Sequence, residues 1–163
     1  MVSAVPAAVM TLDEFVEWSS RPENADRLFE LDRGRVVEVP PPKSLHGTIC
    51  AWVAYLLWSY VIRRGRGRVV GNDAGLIVER DPDTLRGVDA MLFDESTPVD
   101  LIHGYDTARP VLVVEVRPPS DRPNRMHRRV GQYLSRGVPI VWVVDPEDQT
   151  VAVHRPGGQP PTP

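Results

Sequence analysis

The chain has 163 residues, of which 42% are hydrophobic and 25% are charged. These values are typical of one globular domain and exclude a wholly disordered chain. The single cysteine, Cys50, excludes an internal disulfide and any zinc site built from several cysteines. No apolar run reaches the roughly 18 residues of a membrane span, so we expect no membrane partner. Residues 1–10 are apolar but lack the basic start of a secretory signal, which favours a cytoplasmic protein.

The net charge of −3 does not by itself indicate nucleic-acid binding. Positive charge is concentrated in two arginine-rich stretches, residues 63–68 and residues 117–136. The second stretch has six arginines and one acid, Asp121. Such a cluster can bind phosphate groups, but a solvated helix surface has the same composition. Both alternatives stay open at this point.

The first half of the chain predicts two helices and a hairpin. Thr11 and Glu14 have the spacing of a capping box, which predicts a helix ending near Ser19. Strand-like runs at 27–31 and 35–39 flank Asp32-Arg33-Gly34 and predict a β-hairpin. Apolar residues at spacings of three and four then predict a long helix over Ser44–Arg64. Its predicted apolar face consists of Leu45, Ile49, Trp52, Val53, Leu56, Leu57, Tyr60 and Val61.

The second half predicts strands around one further helix. Four runs have strand composition, namely 67–70, 75–78, 87–93 and 111–116. An amphipathic helix follows over 122–136, with Met126, Val130, Tyr133 and Leu134 on its apolar face. A buried strand at 140–144 and an edge strand at 150–154 complete one predicted domain, residues 1–155. The strand–helix–strand order predicts a right-handed crossover with parallel pairing. The Pro/Gly-rich stretch 156–163 is predicted to be a flexible tail.

Two carboxylates lie inside apolar strands. Asp89 belongs to the 87–93 run and Glu115 to the 111–116 run. A carboxylate in a buried strand is costly unless it is paired, hydrogen-bonded or bound to a metal. Two of them on successive strands suit a Mg²⁺ site, which needs hard oxygen ligands on rigid elements. The alternative is that each acid is neutralised by a neighbouring arginine or lies in solvent at a strand end.

Short motifs along the chain occur in a specific order and spacing. They are Phe29-Glu-Leu31 with Gly34, Pro41-Pro-Lys-Ser-Leu-His46-Gly47, Arg86-Gly-Val-Asp89, Val113-Val-Glu-Val-Arg-Pro-Pro-Ser-Asp121, Gln132-Tyr-Leu-Ser-Arg-Gly-Val138 and Val141-Trp-Val-Val-Asp-Pro146. With these motifs the sequence resembles the Uma-type restriction endonuclease family of the PD-(D/E)XK nuclease superfamily. The resemblance extends from about Leu12 to Arg155.

The resemblance implies a restriction-endonuclease-like α/β (α+β) fold, a mixed central β-sheet flanked by α-helices with an N-terminal helix and hairpin. It also implies Mg²⁺-dependent hydrolysis of phosphodiester bonds, with DNA as the expected partner and Mn²⁺ as a possible substitute ion. By the same resemblance, Asp89, Glu115 and Val116 form the metal set. Glu30 assists through water or as a further ligand.

The sequence departs from this family at the expected lysine. The two lysine positions of the superfamily fall on Arg117 and Arg129. Arginine cannot lose a proton as a desolvated lysine can, but it can stabilise charge on a phosphate. If Arg129 acts there, its replacement by alanine should lower turnover and leave folding nearly intact. The alternative is that Arg129 only covers the apolar stripe of its helix.

Three further expectations follow. His46 is predicted to accept a proton or contact phosphate, or else to be only a residue of the turn that begins the helix. Trp52, Trp58 and Trp142 are expected to pack in the core. A two-fold homodimer is expected, with the edge strand 150–153 and residues 1–10 as surfaces for the partner. The alternative function is a catalytically impaired nuclease-fold domain that binds nucleic acid or a protein partner.

Overall fold

A computed structural model of the chain describes residues 5–97, 105, 107–118 and 123–158. The elements within these residues follow one another from α1 to β7. Their bounds are α1 (Leu12–Ser19), β1 (Leu28–Asp32), β2 (Arg35–Val39), α2 (Ser44–Arg64), β3 (Arg68–Glu79), β4 (Thr84–Phe93), β5 (Leu112–Val116), α3 (Pro123–Ser135), β6 (Val141–Asp145) and β7 (Thr150–His154). Both predicted long helices, the hairpin and the last two strands are therefore confirmed.

The strands form one mixed sheet, as expected for the fold. Its order is β2-β1-β4-β5-β6-β7, with β3 paired to β4. The neighbours β5 and β6 run parallel, and the other neighbouring pairs are antiparallel. Since α3 connects β5 to β6, the predicted parallel crossover is confirmed.

The apolar side chains of β5 and β6 alternate between two clusters on opposite faces of the sheet. Val113 and Val141 join the cluster covered by α3, which contains Met126, Val130 and Tyr133. Leu112 and Val114 join the cluster covered by α2, which contains Leu57 and Val61. The two helices therefore lie on opposite faces, and the end of β5 lies between them.

Helix α1 closes a third cluster over the hairpin. The Thr11 hydroxyl accepts from the Glu14 amide and the Glu14 carboxylate accepts from the Thr11 amide, so the capping box is confirmed. Phe15 and Trp18 are buried, and the Trp18 ring meets the Phe29 ring edge-on at a centroid distance of 4.7 Å. Met10 packs against this cluster and its amide donates to the Gly34 carbonyl.

The predicted strands 67–70 and 75–78 are one long strand, β3. The sequence between them suggested a break because Asn72 and Asp73 interrupt the apolar pattern. Both residues adopt left-handed backbone angles, with φ of 64° and 55°, and the pairing register with β4 shifts between Gly71 and Ala74. The interruption is therefore an irregularity inside a continuous strand, and it brings Asp73 toward the end of β5 (see below).

Helix α2 buries a narrower face than predicted. Leu57 and Val61 are buried, but Trp52 is 61% exposed and Leu56 is 60% exposed. The expectation that Trp52 and Trp58 pack in the core is wrong, whereas Trp142 is partly buried. The exposed large apolar residues of the helix, here called the α2 outer surface, are Leu45, Trp52, Tyr55, Leu56, Trp58, Tyr60 and Ile62.

By length and composition alone, α2 is also long and apolar enough to cross a membrane. The expectation that no segment reaches that length is therefore wrong. In the fold, Leu57 and Val61 on the inner side of this helix pack against the sheet.

The two surfaces that were expected to receive a partner differ. The strand β7 lies at the edge of the sheet, as predicted. Residues 1–4 lie outside the described part of the chain, and Met10 is covered by the chain's own hairpin and α1. Of the predicted tail, residues 159–163 also lie outside the described part.

The α1 cluster predicts a large contrast between two neighbouring residues. Phe15→Ala should lower the free energy of unfolding by about 3–5 kcal/mol, because it removes a side chain that is 1% exposed and leaves a cavity. Val16→Ala, at a site that is 37% exposed, should change it by less than about 0.5 kcal/mol. Urea denaturation of both variants measures the difference, and equal losses would contradict the described packing.

Candidate active site

A cleft of about 350 Å³ lies where the sheet meets the start of α2 and the first turns of α3. Five carboxylates from five different strands line it: Glu30 of β1, Glu38 of β2, Asp73 of β3, Asp89 of β4 and Glu115 of β5. The exposed cations Lys43 and Arg125 line it as well. Acidic and basic groups therefore share one opening.

The convergence of Asp89 and Glu115 results from the pairing of β4 with β5. The pairing ends with Ala90 opposite Val114, and the two acids are the next residues on the same side of that pair. There the Asp89 Oδ2 atom accepts a hydrogen bond of 2.6 Å from the Val116 amide. Beyond the last backbone pair, the Asp89 side chain therefore accepts the hydrogen bond of the Val116 amide, and this bond holds the backbone of Val116 at the cleft.

Arg129 joins two of the carboxylates. Its Nη1 atom donates to both oxygens of Glu30, at 2.8 and 2.9 Å, and its Nη2 atom donates to Glu115 Oε1 at 2.9 Å and to the Gly87 carbonyl at 2.7 Å. Burial opposes the charge of Arg129, but the carboxylate of Glu115 holds its pKa well above the ordinary value. The guanidinium is therefore a fixed, buried cation, not a surface group covering an apolar stripe.

Glu115 has an unusual environment for a carboxylate. Burial raises the pKa of Glu115 to about 7, although Arg129 acts in the opposite direction. The Tyr133 hydroxyl also donates to Glu115 Oε1. Among the described residues, every hydrogen bond to this carboxylate goes to Oε1. The Oε2 atom is therefore available to a ligand in the cleft.

Glu30 is held by a second arginine. Arg86 donates to Glu30 Oε2 at 3.0 Å and contacts Asp32 at 2.7 Å, while the Gly87 amide donates to Glu30 Oε1. Gln132 accepts from Arg86 at 2.8 Å and keeps that guanidinium in place. Both oxygens of Glu30 are thus taken by donors of the protein. This geometry favours Glu30 as a residue that positions Arg129.

The structure separates the two arginines at the expected lysine positions. Arg117 contacts Asp145 at the end of β6 at 2.8 Å and Glu147 in the following turn at 3.6 Å. It does not line the cleft. Of the two arginines, Arg129 alone contacts carboxylates that line the cleft.

His46 lies between α2 and the end of β5. Its Nε2 atom is 3.2 Å from the Val116 carbonyl and 3.5 Å from Asp89 Oδ2. The hydrogen bond to Asp89 raises the pKa of His46 above its ordinary value. The N-cap of α2 is Lys43, so His46 is not the residue that caps the helix. Its Nδ1 atom is 3.4 Å from the Cys50 sulfur.

Sequence reasoning missed several residues of this site. Asp73 reaches the cleft because of the irregularity in β3, and burial raises its pKa, with the charge of Asp89 adding to the effect. The signal was present in Asn72-Asp73, two polar residues with a preference for left-handed angles inside an apolar strand pattern. Tyr133 was assigned to the apolar face of its helix, but its hydroxyl reaches Glu115. A single sequence carries no signal for that bond.

Several oxygen atoms that line the cleft can serve as donors to a ligand. Asp89, Glu115 Oε2 and the Val116 carbonyl lie at one end of the cleft, and hard divalent cations such as Mg²⁺ prefer carboxylate and carbonyl oxygens. Arg129 neutralises part of the negative charge but leaves these atoms unblocked. The residues present therefore fit such an ion.

The cleft thus combines carboxylates from neighbouring strands of a mixed sheet with a cation that is hydrogen-bonded to two of them. The sequence matches the Uma2 family, described as "Putative restriction endonuclease", over residues 12–162, and the chain belongs to that family.

A solved structure has the same fold. It is the crystal structure of a protein from Anabaena variabilis ATCC 29413, titled a "putative nuclease belonging to DUF820", and it superimposes with a TM-score of 0.75. The two chains are 21% identical, and the match covers 92% of this chain and 82% of that one. No curated protein matches the sequence.

The sequence led us to expect that removing Arg129 would leave folding nearly intact. Because the structure pairs Arg129 with two buried carboxylates, we now expect its removal to destabilise the fold. Arg129→Ala leaves two buried carboxylates without their counter-ion and should lower the free energy of unfolding at pH 8 by about 3–5 kcal/mol. Arg129→Lys should lose less, since it retains the charge but not the fork of donors. The control is Arg125→Ala, an exposed site one turn earlier, with less than about 0.5 kcal/mol.

The deficit of Arg129→Ala should shrink on acidification. The pKa of Glu115 in the folded protein is already above its ordinary value, so the folded state binds this proton more tightly than the unfolded chain, and protonation stabilises the fold. Loss of Arg129 raises that pKa further, so the variant takes up this proton at a higher pH than the wild type, and the deficit shrinks as the pH falls toward about 7. Urea denaturation between pH 6 and pH 9 measures the effect, and a deficit independent of pH would contradict it.

Proposed function

We propose that this protein is a Mg²⁺-dependent endonuclease that hydrolyses phosphodiester bonds in DNA, in the cytoplasm. The observation that carries the proposal is the position of Asp89 and Glu115 in one cleft, with the buried Arg129 guanidinium hydrogen-bonded to Glu115. Membership in a family described as restriction endonucleases supports the reaction class.

In this proposal Asp89, Glu115 and the Val116 carbonyl hold the cation. A bound Mg²⁺ polarises the phosphate and lowers the pKa of a bound water. Arg129 contributes fixed positive charge beside the reacting phosphate, where charge stabilisation supplies much of the rate in phosphoryl transfer. Because arginine stays protonated, Arg129 acts through charge and not as a proton acceptor. Glu30 and Arg86 act as positioning residues for it.

The remaining groups of the cleft suit the substrate. Asp89 raises the pKa of His46, and the imidazole lines the cleft, where it can contact a phosphate. Lys43 and Arg125 are exposed at the rim, where they can contact neighbouring phosphates of a nucleic acid. Glu115 holds the cation in this proposal, so the proton acceptor for the attacking water is a second water.

The alternative function is a domain that binds nucleic acid without cutting it. The observation in its favour is the arginine in place of lysine, held by two carboxylates and a carbonyl. In that case Arg129 serves the fold by neutralising Glu30 and Glu115. DNA binding would then depend on Lys43 and Arg125 and fall with salt, without any requirement for a divalent ion.

The two functions differ in the effect of Asp89→Asn. For the endonuclease, this variant removes a metal ligand and should lower Mg²⁺-dependent cleavage of plasmid and linear DNA by at least about 10²-fold. Asp94→Asn, the same change at an exposed aspartate just beyond β4, is the control and should cleave as the wild type does. Titration calorimetry with Mg²⁺ should lose its heat in Asp89→Asn alone.

Wild-type protein that binds DNA but cleaves neither DNA nor RNA with Mg²⁺ or Mn²⁺ would overturn the enzyme in favour of the binding domain. Cleavage of RNA alone would retain the reaction and replace the substrate.

We also propose that the protein is a homodimer joined through the α2 outer surface. Taking roughly 150–250 Å² for a whole aromatic side chain, its seven half-exposed residues present on the order of 700 Å² of apolar area. Within this surface Trp52, Tyr55 and Leu56 lie on one side of the helix, at spacings of three and four, and form the centre of a surface for a partner. A two-fold axis beside α2 would cover this surface with the same surface of a second copy.

Light scattering should therefore give twice the chain mass at micromolar concentration. The double variant Trp52→Lys with Leu56→Lys should be monomeric, because it places charge at the centre of the covered surface. Val151→Lys, on the exposed edge strand β7, should remain dimeric. A monomeric wild type, dissociation by Val151→Lys instead, or wild-type binding to lipid vesicles without dimerisation would each contradict the α2 interface.

A further inference from the structure

Three side chains at the edge of the cleft offer a different donor set from the acids at its base. His46 and Cys50 are separated by one helical turn of α2 and face the same way, and Asp89 approaches them from β4. One ligand atom from each residue lies within 4.8 Å of the other two. The set contains an imidazole nitrogen, a sulfur and a carboxylate oxygen.

The hydrogen bonds of His46 define which nitrogen is free. The Nε2 atom is 3.2 Å from the Val116 carbonyl, which can only accept, so Nε2 carries the proton. The lone pair is then on Nδ1, and Nδ1 is the atom that lies 3.4 Å from the Cys50 sulfur. A histidine that binds a metal with one nitrogen commonly donates from the other to a backbone carbonyl. His46 already has that arrangement.

The spacing of the first two donors also suits an ion. Two ligands at the Zn–S and Zn–N lengths of about 2.3 and 2.0 Å lie about 3.5 Å apart in a tetrahedral site. The 3.4 Å between Nδ1 and the Cys50 sulfur agrees with this. His46 and Asp89 also line the cleft, so the three donors lie beside it.

We propose that His46, Cys50 and Asp89 form a binding site for a borderline-soft divalent ion of the Zn²⁺ type. The site differs from the oxygen set of Asp89, Glu115 and Val116 in chemistry, because sulfur and imidazole ligands select Zn²⁺ over Mg²⁺. The two sets share one residue, Asp89. An ion held by Cys50 therefore withdraws a ligand from the Mg²⁺ set.

This competition has a functional consequence that rests on the proposed nuclease activity. Zn²⁺ at concentrations far below those of Mg²⁺ should inhibit cleavage, and Cys50→Ser should relieve the inhibition. Cys50 has no place in the proposed reaction itself, so the variant tests the second site and not the first.

The site can be tested without any nuclease assay. Co²⁺ replaces Zn²⁺ in such sites, and a cobalt–thiolate bond gives a charge-transfer absorption in the near ultraviolet. The chain has a single cysteine, so the band can arise only from Cys50. We expect a saturable band with one Co²⁺ per chain, displaced by one Zn²⁺ and unaffected by excess Mg²⁺.

Two variants and one control complete the experiment. Cys50→Ser should abolish the band, and His46→Gln should weaken Co²⁺ binding by more than the roughly 10–100-fold that loss of an outer hydrogen-bond partner costs. His154→Gln, a histidine on β7, should bind as the wild type does. Circular dichroism checks that each variant is folded, and conservative changes keep the volume of each side chain.

The absence of a thiolate band in folded wild-type protein would overturn the proposal, as would equal Zn²⁺ affinity in Cys50→Ser. A band without any Mg²⁺-dependent cleavage would support this site and overturn the nuclease instead. The two proposals therefore fail separately.

Discussion

The double pairing of Arg129 with Glu30 and Glu115 is the interaction on which the site depends. It joins α3 to β1 and β5, and through the Gly87 carbonyl also to β4. Two carboxylates that are less than a tenth exposed would otherwise repel each other and lose their hydration. One guanidinium provides the counter-charge for both and leaves the Oε2 atom of Glu115 available to a ligand in the cleft. Arg129 thus serves both the fold and the proposed chemistry. A strand acid such as Glu115 can therefore be neutralised by an arginine and still take part in the site.

Much of the fold was predictable because local patterns and the tertiary structure agree. The capping box at Thr11, the hairpin around Arg33-Gly34 and the strand–helix–strand order from β5 to β6 all have short-range causes in the sequence. The errors arose where burial is decided by distant parts of the chain. Periodicity places Leu56 and Leu57 on one broad face of α2, but only the sheet determines that Leu57 is buried and Leu56 exposed.

The residues of the site were also predictable only in part. Acids in apolar strands identify Asp89 and Glu115 from sequence, because a charge there requires a reason. The resemblance to a nuclease family identified Glu30 and the two arginine positions, and His46 was predicted from its position at the start of α2. Neither source separates Arg117, which pairs with Asp145, from Arg129, which pairs with Glu30. That choice depends on the direction of side chains at the end of β5 and on α3, and it needs the three-dimensional structure.

Four of the carboxylates that line the cleft come from four different strands, and this has a consequence for how the protein matures. In the unfolded chain, Glu30, Asp73, Asp89 and Glu115 are separated by between 16 and 43 residues and repel each other little. Their crowding begins only when β1, β3 and β5 have all assembled around β4. Assembly of the sheet therefore brings these negative charges together, and their repulsion opposes it. A cation that binds in the cleft stabilises the folded state over the unfolded one. The concentration of that cation would then determine how much folded protein accumulates, in addition to its activity.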